Sequence, residues 1–424
     1  MSTDGLPSVR TGPRARRALL SITVAAVAVP ALLAPTPAAF AEDREAGEET
    51  SSPGPPMSAI GGELLSRPGT QVSPQRGAPR LPDDLTARSW IVADAESGDV
   101  LAAHNAHLPL APASTVKMLF ADTLLPKFGK DEVYTAEPDH FSDMGPGSSA
   151  VGIADHQTYT VDDLWHGVFL ASGNDAVYAL TAMNGGKEKT VREMNERARE
   201  LQARDTVVVN PDGYDGEGQV SSAYDLTLIA RSGMQKPDFR TYAATPRTDF
   251  PGAGKGKKRP VFEVQSTNRL LVGARGLDRY EGLAGIKNGY TSTAGYTFTG
   301  VAERGDRVLL VTVMKPADGD GLAVYRETAQ LLDWGFEAAG RVEPVGELVP
   351  PLSELPEGGA DSTPESEEAA LDGAAGPPAG ERSAGGSAAL GATALGLALL
   401  ALATYLVPHK GWRGRRRGRR PLPR

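Results

Sequence analysis

The 424-residue chain has no cysteine. That absence excludes disulfides, thiolate nucleophiles, cysteine-held zinc and lipid attachment at an N-terminal cysteine. Aromatic residues are sparse at 6%, and there are only six histidines. None of them falls in a His-Glu-x-x-His spacing, and none adjoins a nucleophile elbow. His104 and His107 fall in a turn after an expected strand, which makes a poor metal site. No metal and no cofactor are therefore expected. Excess positive charge is missing too. A net charge of −9 gives nucleic acid no basic face to dock on.

Long apolar runs are confined to the two ends. Residues 1–41 read as a secretory signal: Arg14, Arg16 and Arg17 precede an apolar core from Ala18 to Leu33, and Ala39-Phe40-Ala41 offers a cleavage site before Glu42. Residues 42–85, rich in Glu, Ser, Pro and Gly, are expected to form a disordered leader. The folded core is expected over 86–340, followed by a disordered linker over 341–382. Residues 383–408 carry no charge and are long enough to cross ~30 Å of hydrocarbon. The tail at 409–424 is basic, so by the positive-inside rule it stays in the cytoplasm. The expected protein is exported and held in the membrane by one C-terminal helix, with its core on the extracytoplasmic face.

Within the core, Trp90–Ala95 reads as a strand, Glu96–Asp99 as a turn and Val100–Ala103 as the return. Helical patterns follow. Thr160 and Asp163 cap Leu164–Leu170, Ala171–Asn174 interrupts, and Asp175–Met183 resumes. Lys187–Arg204 is a charged amphipathic helix, Asn210-Pro211-Asp212-Gly213 a turn, and Ser221-Ser222 a cap on Ala223–Arg231. The basic run from Lys255 to Arg259 reads as a solvated hairpin tip. Strand patterns return at Leu283–Gly289, Tyr296–Ala302 and Val308–Met314, and a helix over Ala323–Ala338 closes the core. Strands at both ends with helices between predict one sheet built from both ends around a helical insertion.

Ser114 and Lys117 are three residues apart, which stacks both on one face of a helix that Pro112 would start. A serine hydroxyl becomes a nucleophile when an adjacent amine of lowered pKa takes its proton. In the first turn, free backbone N–H groups favour an oxyanion. Ser172-Gly173-Asn174 and Lys287-Asn288-Gly289 follow in order. The ordered set Ser-x-x-Lys, Ser-x-Asn and Lys-Thr-Gly marks penicillin-binding proteins and class A β-lactamases.

On these motifs the core resembles the D-alanyl-D-alanine carboxypeptidases, low-molecular-mass penicillin-binding proteins of peptidase family S11. Further likeness comes from Ala93–Gly98, Leu170–Ala176, Tyr224-Asp225-Leu226 and Asn210–Gly213. The resemblance implies an α/β (α+β) fold: a β-lactamase/penicillin-binding-protein-like antiparallel sheet flanked by helices, with an inserted all-helical subdomain. It implies that Ser114 attacks the carbonyl between the terminal D-alanines of a peptidoglycan stem peptide, with Lys117 as general base. Ser172 would shuttle the proton, and Asn174 would hold Lys117 and the substrate amide. Lys287, Asn288, Gly289 and Tyr290 would bind substrate, with the N–H groups of Ser114 and Tyr290 as oxyanion hole. β-Lactam antibiotics would acylate Ser114 as inhibitors. Asn288 departs from the pattern, standing where the family has threonine, so substrate or β-lactam preference is expected to differ. Two other readings stand beside this one. A β-lactamase-like hydrolase would need a deacylating glutamate, and no Glu-x-x-Leu-Asn stretch lies between Ser172 and Lys287. A catalytically inactive penicillin- or wall-binding module would have no use for the retained Ser114, Lys117, Ser172, Asn174 and Lys287.

Overall fold

Order starts well before the expected core. The computed structural model describes residues 57–254, 259–317 and 320–355. In chain order the elements are β1 Thr70–Pro74, β2 Ser89–Asp94, β3 Asp99–His104, α1 Lys117–Leu124, β4 Val133–Thr135, β5 Thr158–Thr160, α2 Val161–Leu170, α3 Asn174–Met183 and α4 Lys187–Glu200. They continue with α5 Ala223–Met234, α6 Pro237–Ala244, β6 Arg247–Pro251, β7 Val261–Gln265, α7 Arg269–Val272, β8 Leu283–Thr291, β9 Gly295–Arg304, β10 Arg307–Met314, α8 Ala323–Ala338, β11 Val342–Glu343 and β12 Gly346–Glu347.

The main sheet runs β11-β1-β3-β2-β10-β9-β8, with β12 also on β3, and each pairing in it is antiparallel. The chain thus builds one sheet from both ends, and β8 is left as an edge. Strand β2 is buried along its whole length, because its alternating side chains feed two cores. Trp90 and Val92 join Leu309, Val311 and Val313 under α8. Ile91 and Ala93 join Leu310 and the helices of the insertion on the other face. Burying one such aliphatic side chain contributes about 1.5–3 kcal/mol. The Thr160–Asp163 capping box starts α2 as expected, and Ser222 caps α5 by accepting from the Asp225 N–H.

Three expectations need correction. The leader is structured from residue 57. Leu65 is buried, and β1 pairs with β3 through Thr70–Val72. Its polar, proline-flanked sequence hides a strand whose hold on the sheet is backbone pairing. Residues 341–355, expected to open the linker, are structured as well, since β11 and β12 complete the sheet. Finally, Ser114 is not in the helix proper. It lies in a 3-10 turn, Ala113–Val116, and α1 begins at Lys117.

Among the described residues no helix is long and apolar enough to cross a membrane. The signal (1–41), the span (383–408), the basic tail (409–424) and Lys255–Lys258 of the basic loop lie outside the described residues. The strands flanking that loop, β6 and β7, form an antiparallel hairpin.

Candidate active site

The site forms where the nucleophile turn, the break between α2 and α3, the Asn210–Gly213 turn and the edge strand β8 converge. Ser114 is half-buried at the mouth. Lys117 is 1% exposed, and its Nζ donates to Ser114 Oγ at 2.7 Å, to Asn174 Oδ1 at 2.8 Å and to the Asp212 carbonyl. Burial pushes the Lys117 amine down to about 8, against the pull of the Asp212 and Asp175 carboxylates. Lys287, also 1% exposed, donates to Ser172 Oγ at 2.9 Å and to the Asn288 carbonyl at 2.7 Å. Burial, and then the Lys117 charge, hold Lys287 well below the usual amine range.

Local backbone shape sets these contacts. Ala113 and Ser172 both have positive φ, 50° and 57°. Such backbone is uncommon outside glycine and costs of order 1–3 kcal/mol where the surroundings enforce it. At Ser172 the left-handed residue ends α2 and turns the hydroxyl toward Lys287. Asp175, the first-turn acid of α3, braces the opposite wall. Its carboxylate accepts from the N–H groups of Val151, Gly152 and Ile153 at 2.9, 2.8 and 2.9 Å. Asn174 Nδ2 donates to Ser148 Oγ at 2.9 Å, which leaves its oxygen for Lys117.

The four binding residues read from the sequence also fall here. A Cβ on Gly289 would lie 2.7 Å from the Ser114 nitrogen, so strand and nucleophile turn are in direct apposition. Thr297 on β9 ties them by donating to the Pro112 carbonyl at 3.0 Å. Asn288 is half-buried, and its Oδ1 accepts from Thr267 Oγ1 at 3.0 Å. Tyr290 is 59% exposed, with its ring 4.5 Å from that of Tyr296. His104 and His107 part company. His104 Nδ1 meets Thr70 Oγ1 at 2.8 Å, whereas buried His107 lies between Asp205 Oδ2 at 2.7 Å and the Ile60 carbonyl at 2.9 Å.

Sequence reasoning missed Asp212, Asp175, Ser148 and Thr267. The turn containing Asp212 was legible, but a carbonyl contact leaves no residue-type signal. Asp175 could have been suspected as the acid in the first turn of α3.

A neutral Lys117 can spend its two N–H groups on Asn174 and Asp212 and aim its lone pair at Ser114 Oγ. The geometry therefore defines a serine–lysine acyl-transfer site at the edge of an antiparallel sheet. A family model described as D-alanyl-D-alanine carboxypeptidase, peptidase family S11, matches residues 75–318, more than half of the chain, and the chain belongs to that family. It is 36% identical over 268 residues to the D-alanyl-D-alanine carboxypeptidase DacB2 of Mycobacterium tuberculosis, covering 62% of this chain and 87% of that one. To DacF of Bacillus subtilis it is 31% identical over 234 residues, 54% of this chain and 57% of the relative's length. The crystal structure of a D-alanyl-D-alanine carboxypeptidase from Mycobacterium tuberculosis superposes with a TM-score of 0.57 at 34% identity, over 65% of this chain and 100% of that one. A Streptomyces DD-transpeptidase shares the fold at a TM-score of 0.56 and 24% identity, over 61% of this chain and 99% of its own.

Proposed function

We propose that the chain removes the terminal D-alanine from peptidoglycan stem peptides through an acyl-enzyme on Ser114. The observation that carries this is the contact of Lys117 Nζ, on a fully buried amine, with Ser114 Oγ at 2.7 Å. Neutral Lys117 takes the Ser114 proton as Oγ attacks the penultimate D-alanine carbonyl. The Ser114 and Tyr290 N–H groups hold the resulting oxyanion, a kind of contact worth about 10²–10³ in kcat for each donor. As the carbon–nitrogen bond breaks, the proton passes from Lys117 by way of Ser172 to the leaving nitrogen, while Lys287 steadies the Ser172 hydroxyl. Water, deprotonated in turn by Lys117, attacks the ester, releases the shortened peptide and returns the proton to Ser114. A β-lactam carbonyl meets the same nucleophile and the same oxyanion donors, and acylates Ser114. Asn288, whose amide oxygen is held by Thr267, presents its NH₂ to the substrate's terminal carboxylate.

The protein works outside the cytoplasm, exported by residues 1–41 and tethered by 383–408. Residues 1–41 combine a basic start, an apolar core and a small-residue cleavage site, and 383–408 are uncharged and long enough to span a bilayer.

The test is D-alanine release from a diacetyl-Lys-D-Ala-D-Ala peptide by the full chain, beside Ser114→Ala and Ser172→Ala. Release by the parent is expected, with none from the Ser114 variant and a fall of about 10²–10⁴ from the Ser172 variant. A Ser114→Ala protein that still releases D-alanine overturns the reading.

A further inference from the structure

The Asn210–Gly213 turn holds a group that the acyl-transfer chemistry does not use. Asp212 is fully buried. One carboxylate oxygen accepts from the Tyr214 N–H at 3.0 Å, closing a turn over Gly213. The other, Oδ2, is buried and has no hydrogen-bond partner. Buried carboxylate oxygens are almost always bonded, and an unpaired one is costly unless a positive charge lies near. The carbonyl of the same residue receives a hydrogen bond from Lys117 Nζ.

The charges around that amine can be enumerated by element. Strand β8 brings Lys287, a second buried amine. Helix α3 brings Asp175 and Tyr178. Asp175 spreads its charge over the Val151, Gly152, Ile153 and Ala176 N–H groups, so its capacity is taken up. Tyr178 donates to the Asp143 carbonyl at 3.1 Å, and burial followed by the Asp212 charge keeps its phenol protonated. The turn brings Asp212, whose free oxygen makes it the one carboxylate in this group with capacity left.

We propose that Asp212 is a positioning residue for Lys117, its buried carboxylate supplying the amine's counter-charge while its carbonyl fixes the amine's direction. The proposal rests on Lys117 being the general base. Without that carboxylate, two buried amines would share the site with only the saturated Asp175 to balance them. The Asp212 and Asp175 carboxylates both act to keep Lys117 protonated, with Asp212 the stronger.

Two variants separate charge from shape. Asp212→Asn keeps an oxygen for the Tyr214 N–H and removes the charge. Asp212→Glu keeps the charge on a longer arm that no longer fits the turn. Acylation by a labelled penicillin and D-alanine release are followed on the full chain from about pH 5 to about pH 10, with thermal unfolding as the check on folding. In the parent, both rates should rise with pH as Lys117 loses its proton. In Asp212→Asn that limb should move to lower pH by about one unit, which at a fixed pH on the limb is about tenfold in the fraction of the plateau reached. In Asp212→Glu the limb should stay near the parent's while the plateau falls. A folded Asp212→Asn protein with an unmoved limb overturns the proposal, as does an equal displacement in Asp212→Glu. If Asp212→Asn does not fold, Asp212→Ser, which also removes the charge, takes its place: a limb moved to lower pH supports the counter-charge, and an unmoved limb refutes it. A parent with no such limb sinks the general-base reading first, and the proposal with it.

Discussion

Gly289→Ala places one methyl group at the seam between the edge strand and the nucleophile. A Cβ there would lie 2.6 Å from Thr297 Oγ1, 2.7 Å from the Ser114 nitrogen and 3.0 Å from Ala113 Cβ. Ordinary contact begins near 3.4 Å, so strand and turn must part by about 0.7 Å at Ser114. The turn has little freedom to yield, since Ala113 already has a φ of 50° and Thr297 holds the Pro112 carbonyl. The predicted stability loss is that of modest overpacking, about 1–3 kcal/mol. The larger loss is chemical. The displaced N–H belongs to Ser114 itself, and losing one oxyanion donor costs about 10²–10³ in kcat. Steady-state D-alanine release would give kcat and KM, penicillin acylation would isolate the first step, and urea unfolding would measure stability. Gly305→Ala serves as the control: its Cβ meets nothing within 4 Å, and only its φ of 63° opposes the change. That variant should lose stability and keep kcat. A folded Gly289→Ala protein with kcat within about threefold of the parent would refute the oxyanion argument.

Three further outcomes follow from the same contacts. With the Lys117 amine near 8, about one molecule in ten has the base neutral at pH 7, so kcat/KM should climb roughly tenfold toward pH 9 and level off; a flat profile contradicts the mechanism. Asp175→Ala strands the N–H groups of Val151, Gly152 and Ile153, each worth about 1.5–3 kcal/mol to a charged acceptor, so urea unfolding should report a loss of at least about 3 kcal/mol. A loss under about 1 kcal/mol would mean that water replaces the carboxylate there. A chain starting at residue 86 lacks β1 and bares the Ala102–His104 stretch of the β3 edge, so it should melt lower and aggregate more than one starting at 57; equal midpoints would show that the leader contributes nothing.

What was legible in the sequence was what acts through side-chain chemistry or side-chain periodicity. Short runs rich in strand-forming residues between turn residues marked β2, β3, β8, β9 and β10, capping residues marked α2 and α5, and three short motifs marked the amines, hydroxyls and amide of the site. What escaped acts through the backbone. Strand β1 is Thr-Gln-Val-Ser-Pro, with no buried face to betray it, and it joins the sheet because β3 offers free backbone groups. Strands β11 and β12 are two residues each, too short for any period. The left-handed residues Ala113 and Ser172 carry side chains that disfavour that conformation, so local preference argues against the backbone the site needs. The distances between the motifs depend on such places. The Pro112 and Asp212 carbonyls hold Thr297 and Lys117, and the Ser114 N–H lies directly against Gly289. A motif therefore states which groups can react, while the working distances come from loops whose shapes are imposed by the rest of the fold. A chain could keep all three motifs and lose the reaction through one residue of the Asn210–Gly213 turn: a Cβ on Gly213, whose φ is 83°, would fall 2.1 Å from the Ala113 carbonyl oxygen.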